Sequence, residues 1–231
     1  MNGENLNVMK FFTYFIYIAF NWNIRIAWHI LLQEIKGEKK YRINTTGKDT
    51  LESLEEKGID IDHATIYMPV SYDLLETIFN QLPKKRNTHF LDIGCGKGRA
   101  LCVAAYHGFN KVTGIDFSKD LCLEAEKNLT QTKLQIPTLH YKIYTNDAFY
   151  FEIPTDVDCI FLFNPFDEII MSGVVENIIV SLEKKPRDLT IAYVNPLHKE
   201  LFVAQGFIET YHSKKLNYLE VSMLEIPSQK N

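Results

Sequence analysis

The chain is poor in the signatures of covalent and metal chemistry. Its cysteines, Cys95, Cys102, Cys122 and Cys159, form no C-x-x-C pair. Three of them sit in apolar contexts, so buried free thiols in a reducing compartment are expected. The histidines show no H-x-x-x-H or other ligand spacing, which predicts no metal site. No G-x-S-x-G elbow announces a covalent nucleophile. Neither charge sign dominates: 25 Lys and Arg stand against 29 Asp and Glu, for a net charge of −4. That balance argues against tight non-specific binding of nucleic acid, which runs on phosphate neutralisation. Repeats and low-complexity segments are absent as well.

Long apolar runs are also missing. Phe11 to Phe20 follows Lys10 in the manner of a signal-peptide core, but Asn21, Asn23 and Arg25 interrupt it and no A-x-A site follows. The run falls short of the ~20 apolar residues that span a bilayer. The cytoplasm is therefore the expected compartment. Thr13, Tyr17, Asn21, Arg25, His29 and Gln33 recur every four residues and form one drifting polar stripe on a helix over residues 1–36. Its other faces are apolar, which predicts packing on the rest of the chain or on a second subunit in a homo-oligomer. Attachment to a membrane surface is the weaker alternative.

What the sequence does contain is concentrated in Phe90-Leu-Asp-Ile-Gly-Cys-Gly-Lys-Gly98. A strand-like run enters a loop with glycine at 94, 96 and 98, and a helix-like run leaves it. Glycines there allow a tight turn and close approach of a ligand, which the N–H groups of the next helix would face. The spacing G-x-G-x-G departs from the G-x-G-x-x-G of dinucleotide binders, so an NAD enzyme ranks last. Asp92 precedes the first glycine by two residues. A carboxylate there is a poor neighbour for a pyrophosphate and a good one for an ammonium. A zwitterion such as S-adenosylmethionine (SAM) fits that description.

From Thr88 onward strands and helices alternate. Strands read at 88–93, 111–116, 139–145, 157–163, 188–194, 206–212 and 217–226, and helices at 98–107, 118–130, 167–183 and 197–204. Near-continuous apolar strands such as Val157-Asp-Cys-Ile-Phe-Leu-Phe163 belong in a parallel sheet covered on both faces. The short link Ser213-Lys-Lys-Leu216 cannot hold a crossover, so the last two strands pair antiparallel. The expected fold is a doubly wound, mostly parallel seven-stranded α/β sheet with an antiparallel last strand. Residues 1–66 form a helical N-terminal extension or lid, and 67–231 the main domain.

With these features, region 67–226 resembles the class I SAM-dependent methyltransferases. Asp92-Ile-Gly-Cys-Gly-Lys-Gly98 matches the first motif of that family. The resemblance implies that Asp116, ending Val112-Thr-Gly-Ile-Asp116, binds both ribose hydroxyls with Phe117 beside it. Asn146-Asp147-Ala148 matches the segment whose acid meets the adenine amino group. Tyr67-Met-Pro-Val-Ser-Tyr72 resembles the Y-x-P lead-in of lysine methyltransferases without a SET domain, which places Tyr67 over the cofactor. The implied SAM set is Tyr67, Asp92, Gly94, Cys95, Gly96, Gly98, Asp116, Phe117, Asn146, Asp147 and Ala148. Bland readings stand beside these. Asn146-Asp147 serves equally as a turn cap, and Pro69-Val70-Ser71 as a helix lead-in capped by Ser71. Ser118 is placed to cap the following helix, which releases Asp116 for a ligand.

The acceptor is read from Asn164-Pro165-Phe166, which resembles the active-site motif N-P-P-[YFW] without its second proline. The resemblance implies that the Asn164 oxygen and the Pro165 carbonyl orient an amino nitrogen while Phe166 packs on the substrate. The alternative is a strand-ending turn with Phe166 in the core. Asn195-Pro196 repeats the pattern and reads as a plain turn. Lys97 and Arg99 read as solvated charges unless they hold the methionine carboxylate. The expected function is methyl transfer to an amino nitrogen, with a protein acceptor favoured over a small molecule and both over nucleic acid. A non-catalytic SAM-binding subunit is the alternative from another class.

Overall fold

A computed structural model describes residues 11–12, 14–16, 19–20, 24–46, 69–82, 88–163, 166–215 and 219–227. Tyr67, Asn164 and Pro165 lie outside them, as does the part of the expected N-terminal extension between residues 47 and 66. The helices are α1 (Ile24–Tyr41), α2 (Tyr72–Gln81), α3 (Arg99–Tyr106), α4 (Lys119–Gln135), α5 (Glu168–Lys184) and α6 (Lys199–Ala204). The strands are β1 (His89–Ile93), β2 (Lys111–Asp116), β3 (His140–Thr145), β4 (Cys159–Phe163), β5 (Leu189–Val194), β6 (Ile208–Lys215) and β7 (Leu219–Ile226).

They form one seven-stranded sheet in the order β3-β2-β1-β4-β5-β7-β6. β3 to β5 run parallel across the sheet, while β7 pairs antiparallel with both β5 and β6. This is the expected doubly wound fold with its final hairpin. β6 runs on to Lys215, three residues beyond the expected 212. Residues 213–215 stay in the ladder with Val221, Glu220 and Leu219, so most of the expected link is strand.

Side chains alternate between two cores, as the pleat requires. Phe90, Cys159 and Phe161 pack with Leu75 of α2, Leu101 of α3 and Leu129 of α4. Leu91, Ile160 and Leu162 pack on the other face with Met171 and Ile178 of α5 and Phe202 of α6. β1 and β5 are buried along their whole length, as strands covered on both faces are, and in β1 this burial takes in His89 and Asp92. β3, at the sheet edge, is exposed or half-exposed throughout.

Helix α1 continues past the expected end at residue 36 to Tyr41. Gly37 lies inside it against the Tyr72 ring, where a Cβ would come within 2.1 Å of Tyr72 Cδ2, so the position requires glycine. Ser71 occupies the N-cap position of α2 but makes no capping bond, and its buried Oγ has no hydrogen-bond partner among the described residues. Asp73 in the first turn favours the helix start instead.

Candidate cofactor and active site

The strand order reverses between β1 and β4, and in such sheets the ligand crevice opens at that switch point. β1 ends there at Ile93, in register with Ile115 of β2 and Leu162 of β4. The glycine loop therefore stands over the crevice. Its first two N–H groups, on Gly94 and Cys95, both donate to the Ile115 carbonyl at 2.9 Å. Gly94, Gly96 and Gly98 all take positive φ, at 81°, 51° and 77°. Side chains rarely adopt that backbone. At Gly98 space is short as well, since a Cβ would lie 3.1 Å from Ala125 Cβ on α4.

Two acids face this loop from the strand ends. Asp116 is the last residue of β2 and is buried. Its Oδ2 accepts the Gly96 N–H at 2.8 Å and its Oδ1 accepts the Ser118 N–H at 2.9 Å. Ser118 caps α4 with its own hydroxyl, accepting from Leu121 N–H, as the sequence implied. Asp116 is nonetheless not released from structural duty, because it also holds the loop. A carboxylate offers about four acceptor sites, so orienting bonds and ribose hydroxyls are compatible.

Asp92 is 3% exposed, and no hydrogen bond reaches its carboxylate among the described residues. Burial, and then the charge of Asp116, push its carboxyl well above the usual range. An unpaired buried carboxylate is costly. An ammonium group bound at this position supplies the missing partner, so the residues present fit SAM. The same surroundings push the Cys95 thiol well up, with burial the leading cause, so Cys95 contributes backbone rather than a thiolate.

The third segment arrives beside them through the Asn146 N–H, which donates to the Asp116 carbonyl at 3.1 Å. Asn146 Oδ1 accepts from Asp147 N–H, and Asp147 Oδ1 accepts from Phe149 N–H, both at 2.9 Å. The Asp147 bond caps the short 3-10 turn Ala148–Tyr150. The capping reading thus holds for Asp147, while Asn146 braces the N–H of that cap residue; both side chains are exposed just past the end of β3. Ala148 is buried in the second core, and Phe117 is half-buried. Phe166 also packs against the second core, which is the core reading of that residue.

Asn195 is the turn the sequence implied, and the reading of Arg99 changes. Asn195 is a turn residue in left-handed conformation, φ 49°. Its N–H donates to the Glu220 carbonyl and its Oδ1 accepts the Glu220 N–H, so it ties β5 to β7 rather than lining a pocket. Arg99 is not solvated. It is buried, with both terminal nitrogens on the Glu34 carboxylate, Nη1 on the Val70 carbonyl and Nε on Thr45 Oγ1. Asn128 makes a second tie. Its Nδ2 donates to the carbonyls of Lys97 and Asn44, and its Oδ1 accepts the Asn44 N–H. Sequence reading missed Glu34, Thr45 and Asn128. The available signal was Arg99 itself, heading an otherwise apolar helix, Ala-Leu-Cys-Val-Ala-Ala, in which a cation requires a buried acid.

The sheet order, the glycine loop at the switch point and the acids at the ends of β1 and β2 define a class I SAM-dependent methyltransferase. Residues 84–230 match the family described as methyltransferase domain, and the chain belongs to that family. The fold is shared with an RNA methyltransferase from Salinibacter ruber in complex with S-adenosyl-L-homocysteine, at TM-score 0.50 and 16% identity over 71% of this chain and 97% of that one. It is also shared with the B. subtilis M1A22 tRNA methyltransferase TrmK, at 0.53 and 13% over 70% and 68%. StiE O-MT aligns at 0.54 and 10% over 69% and 75%. No curated protein matches by sequence. Among the described residues, no cluster of potential metal ligands occurs and no helix is long and apolar enough to cross a membrane.

Proposed function

We propose that this methyltransferase acts on an amino nitrogen carried by a protein side chain. The observation that carries the reading is the register of β4 on β1. Leu162 lies opposite Ile93, so β4 delivers its last residue, Phe163, beside the start of the glycine loop. Asn164-Pro165 follows at once in the chain. An Asn in that position accepts hydrogens from an amino group and aims its lone pair across the crevice. SAM supplies a methyl group on a positively charged sulfur, already activated for displacement. The protein has to align the acceptor and exclude water. Asp92 pairs with the ammonium, Asp116 accepts from the ribose, and Asn164 orients the nitrogen.

The acidic balance of the chain and the Y-x-P lead-in at Tyr67 favour a protein acceptor over RNA. Fold likeness to RNA-modifying enzymes does not decide the point, because one fold hosts many acceptors. The test is incubation with radiolabelled SAM and separated protein, RNA and metabolite fractions of a lysate. Label should enter protein and resist hydroxylamine, as N-methyl groups do. Label confined to RNA or to small molecules would overturn the proposal.

A further inference from the structure

The N-terminal helical segment carries an apolar face that stays exposed among the described residues. Tyr14 and Ala27 are buried in one small cluster with Phe15, Ala19 and Ile30, and the Phe15 ring meets Trp28 at 5.3 Å, so residues 14, 15 and 19 pack on α1. On the outer side stand Phe12, Ile16 and Phe20, then Ile24, Trp28, Leu32 and Ile35, all between 42% and 91% exposed. They recur at helical spacing, so Ile24, Trp28, Leu32 and Ile35 form one apolar stripe on α1, with Phe12, Ile16 and Phe20 at the same spacing ahead of it. Scattered exposed apolar residues mean little, but a rimmed stripe of this kind marks an interaction surface.

The rim identifies the occupant. Lys39 continues the α1 stripe four residues beyond Ile35, and Lys36 flanks it; both are exposed. Residues 11–42 hold Arg25, Lys36, Lys39, Lys40 and Arg42 against two acids, Glu34 and Glu38. Neither acid opposes an outside anion. Glu34 is buried on Arg99, and Glu38 Oε1 accepts the N–H groups of Thr45 and Thr46. Lys40, in contrast, is paired with Glu76. Exposed Phe, Trp and Leu with unopposed lysines at the edge suit an interface of acyl chains and anionic headgroups, with lysine stems reaching along the apolar surface.

We infer that this face docks the enzyme on the surface of an anionic phospholipid bilayer, lying in the interface without spanning it. The inference is independent of the nature of the methyl acceptor. Buried Glu34 and Arg99 join the docked helix to the start of α3, so the glycine loop sits at a fixed distance from the lipid.

The test is flotation of the full chain with vesicles of phosphatidylcholine alone or mixed with phosphatidylglycerol. Two lysines near a charged surface should raise binding to the anionic vesicles by roughly tenfold, an advantage lost at high salt. In a Trp22→Phe background, Trp28 emission should shift to the blue on binding. Leu32→Glu with Ile35→Glu should abolish flotation at an unchanged melting temperature. Should that double variant fail to fold, Trp28→Ser serves the same purpose. Failure of the wild type to float on anionic vesicles would overturn the inference. So would a dimer in light scattering that the charged variants dissociate without any lipid binding, since a second copy would then cover the face.

Discussion

Arg99 Nη1 and Nη2 each donate to one oxygen of Glu34, with both side chains almost fully buried, and the guanidinium carbon lies 4.1 Å from the centre of the Tyr72 ring. This joins α1 to the residue directly after Gly98. Removing one partner of such a pair strands the other charge, which costs about 3–5 kcal/mol. Glu34→Ala should therefore lower the melting temperature by roughly 10 °C. Glu34→Leu combined with Arg99→Met removes both charges and should recover most of that loss. Thermal denaturation of the three proteins checks this, and equal damage from the single and double changes would reject the pairing as the source.

Asp92 makes an opposite prediction for stability and for binding. Its folded-state pKa is raised above the ordinary 3.8, so the ligand-free protein loses stability as pH rises from that value through the folded pKa. Asp92→Asn removes this penalty and should stabilise the ligand-free protein at neutral pH by about 1 kcal/mol, roughly 2–4 °C. The same change removes the proposed partner of the ligand ammonium. Affinity for S-adenosylhomocysteine, measured by calorimetry, should fall tenfold or more. In the wild type that affinity should rise with pH as Asp92 ionises. A variant that is both less stable and equally tight would refute the assignment.

The parallel sheet and its closing hairpin were legible because local patterns carry them: apolar runs, loop glycines and a link too short to cross over. The acid at the end of β2 was legible for the same reason. The docking of α1 was not. Glu34 and Arg99 are far apart in sequence, and an exposed-looking Arg becomes a core residue only when a distant helix brings a carboxylate to it. Asp147 shows the reverse limit, because an acid that caps a 3-10 turn and one that binds a ligand occupy the same position in sequence.

His89 gives the protein a pH dependence far from the crevice. Among the contacts of its buried ring, Nδ1 faces Asp156 Oδ1 at 3.0 Å and Nε2 faces Thr113 Oγ1 at 2.8 Å. A carboxylate only accepts, so Nδ1 carries the hydrogen and the neutral ring accepts from Thr113. Burial lowers the His89 pKa below the usual 6.5, and the bond to Asp156 offsets this only in part. Stability should thus decline as pH falls below 6.5, since the unfolded chain binds the proton first. Urea unfolding across that range should show a smaller decline in His89→Gln. His107, also lowered by burial, keeps the slope from vanishing. An unchanged slope would assign the effect elsewhere.

Asp116 holds the glycine loop and is proposed to hold the ribose as well, and a single substitution does not separate the two roles. Asp116→Ala removes the acceptor for Gly96 and Ser118 N–H groups, so it loosens the loop whether or not the ribose touches it. Lost affinity alone is therefore uninformative. A ligand lacking one ribose hydroxyl separates the roles through a double cycle. Against the wild type, 2′-deoxy S-adenosylhomocysteine should bind about 1.5–3 kcal/mol more weakly, the worth of a hydrogen bond to a charged group. Against Asp116→Ala the two ligands should bind alike, because the acceptor is gone. If the deoxy penalty persists in the variant, Asp116 is a strut of the glycine loop and the ribose is held by another residue.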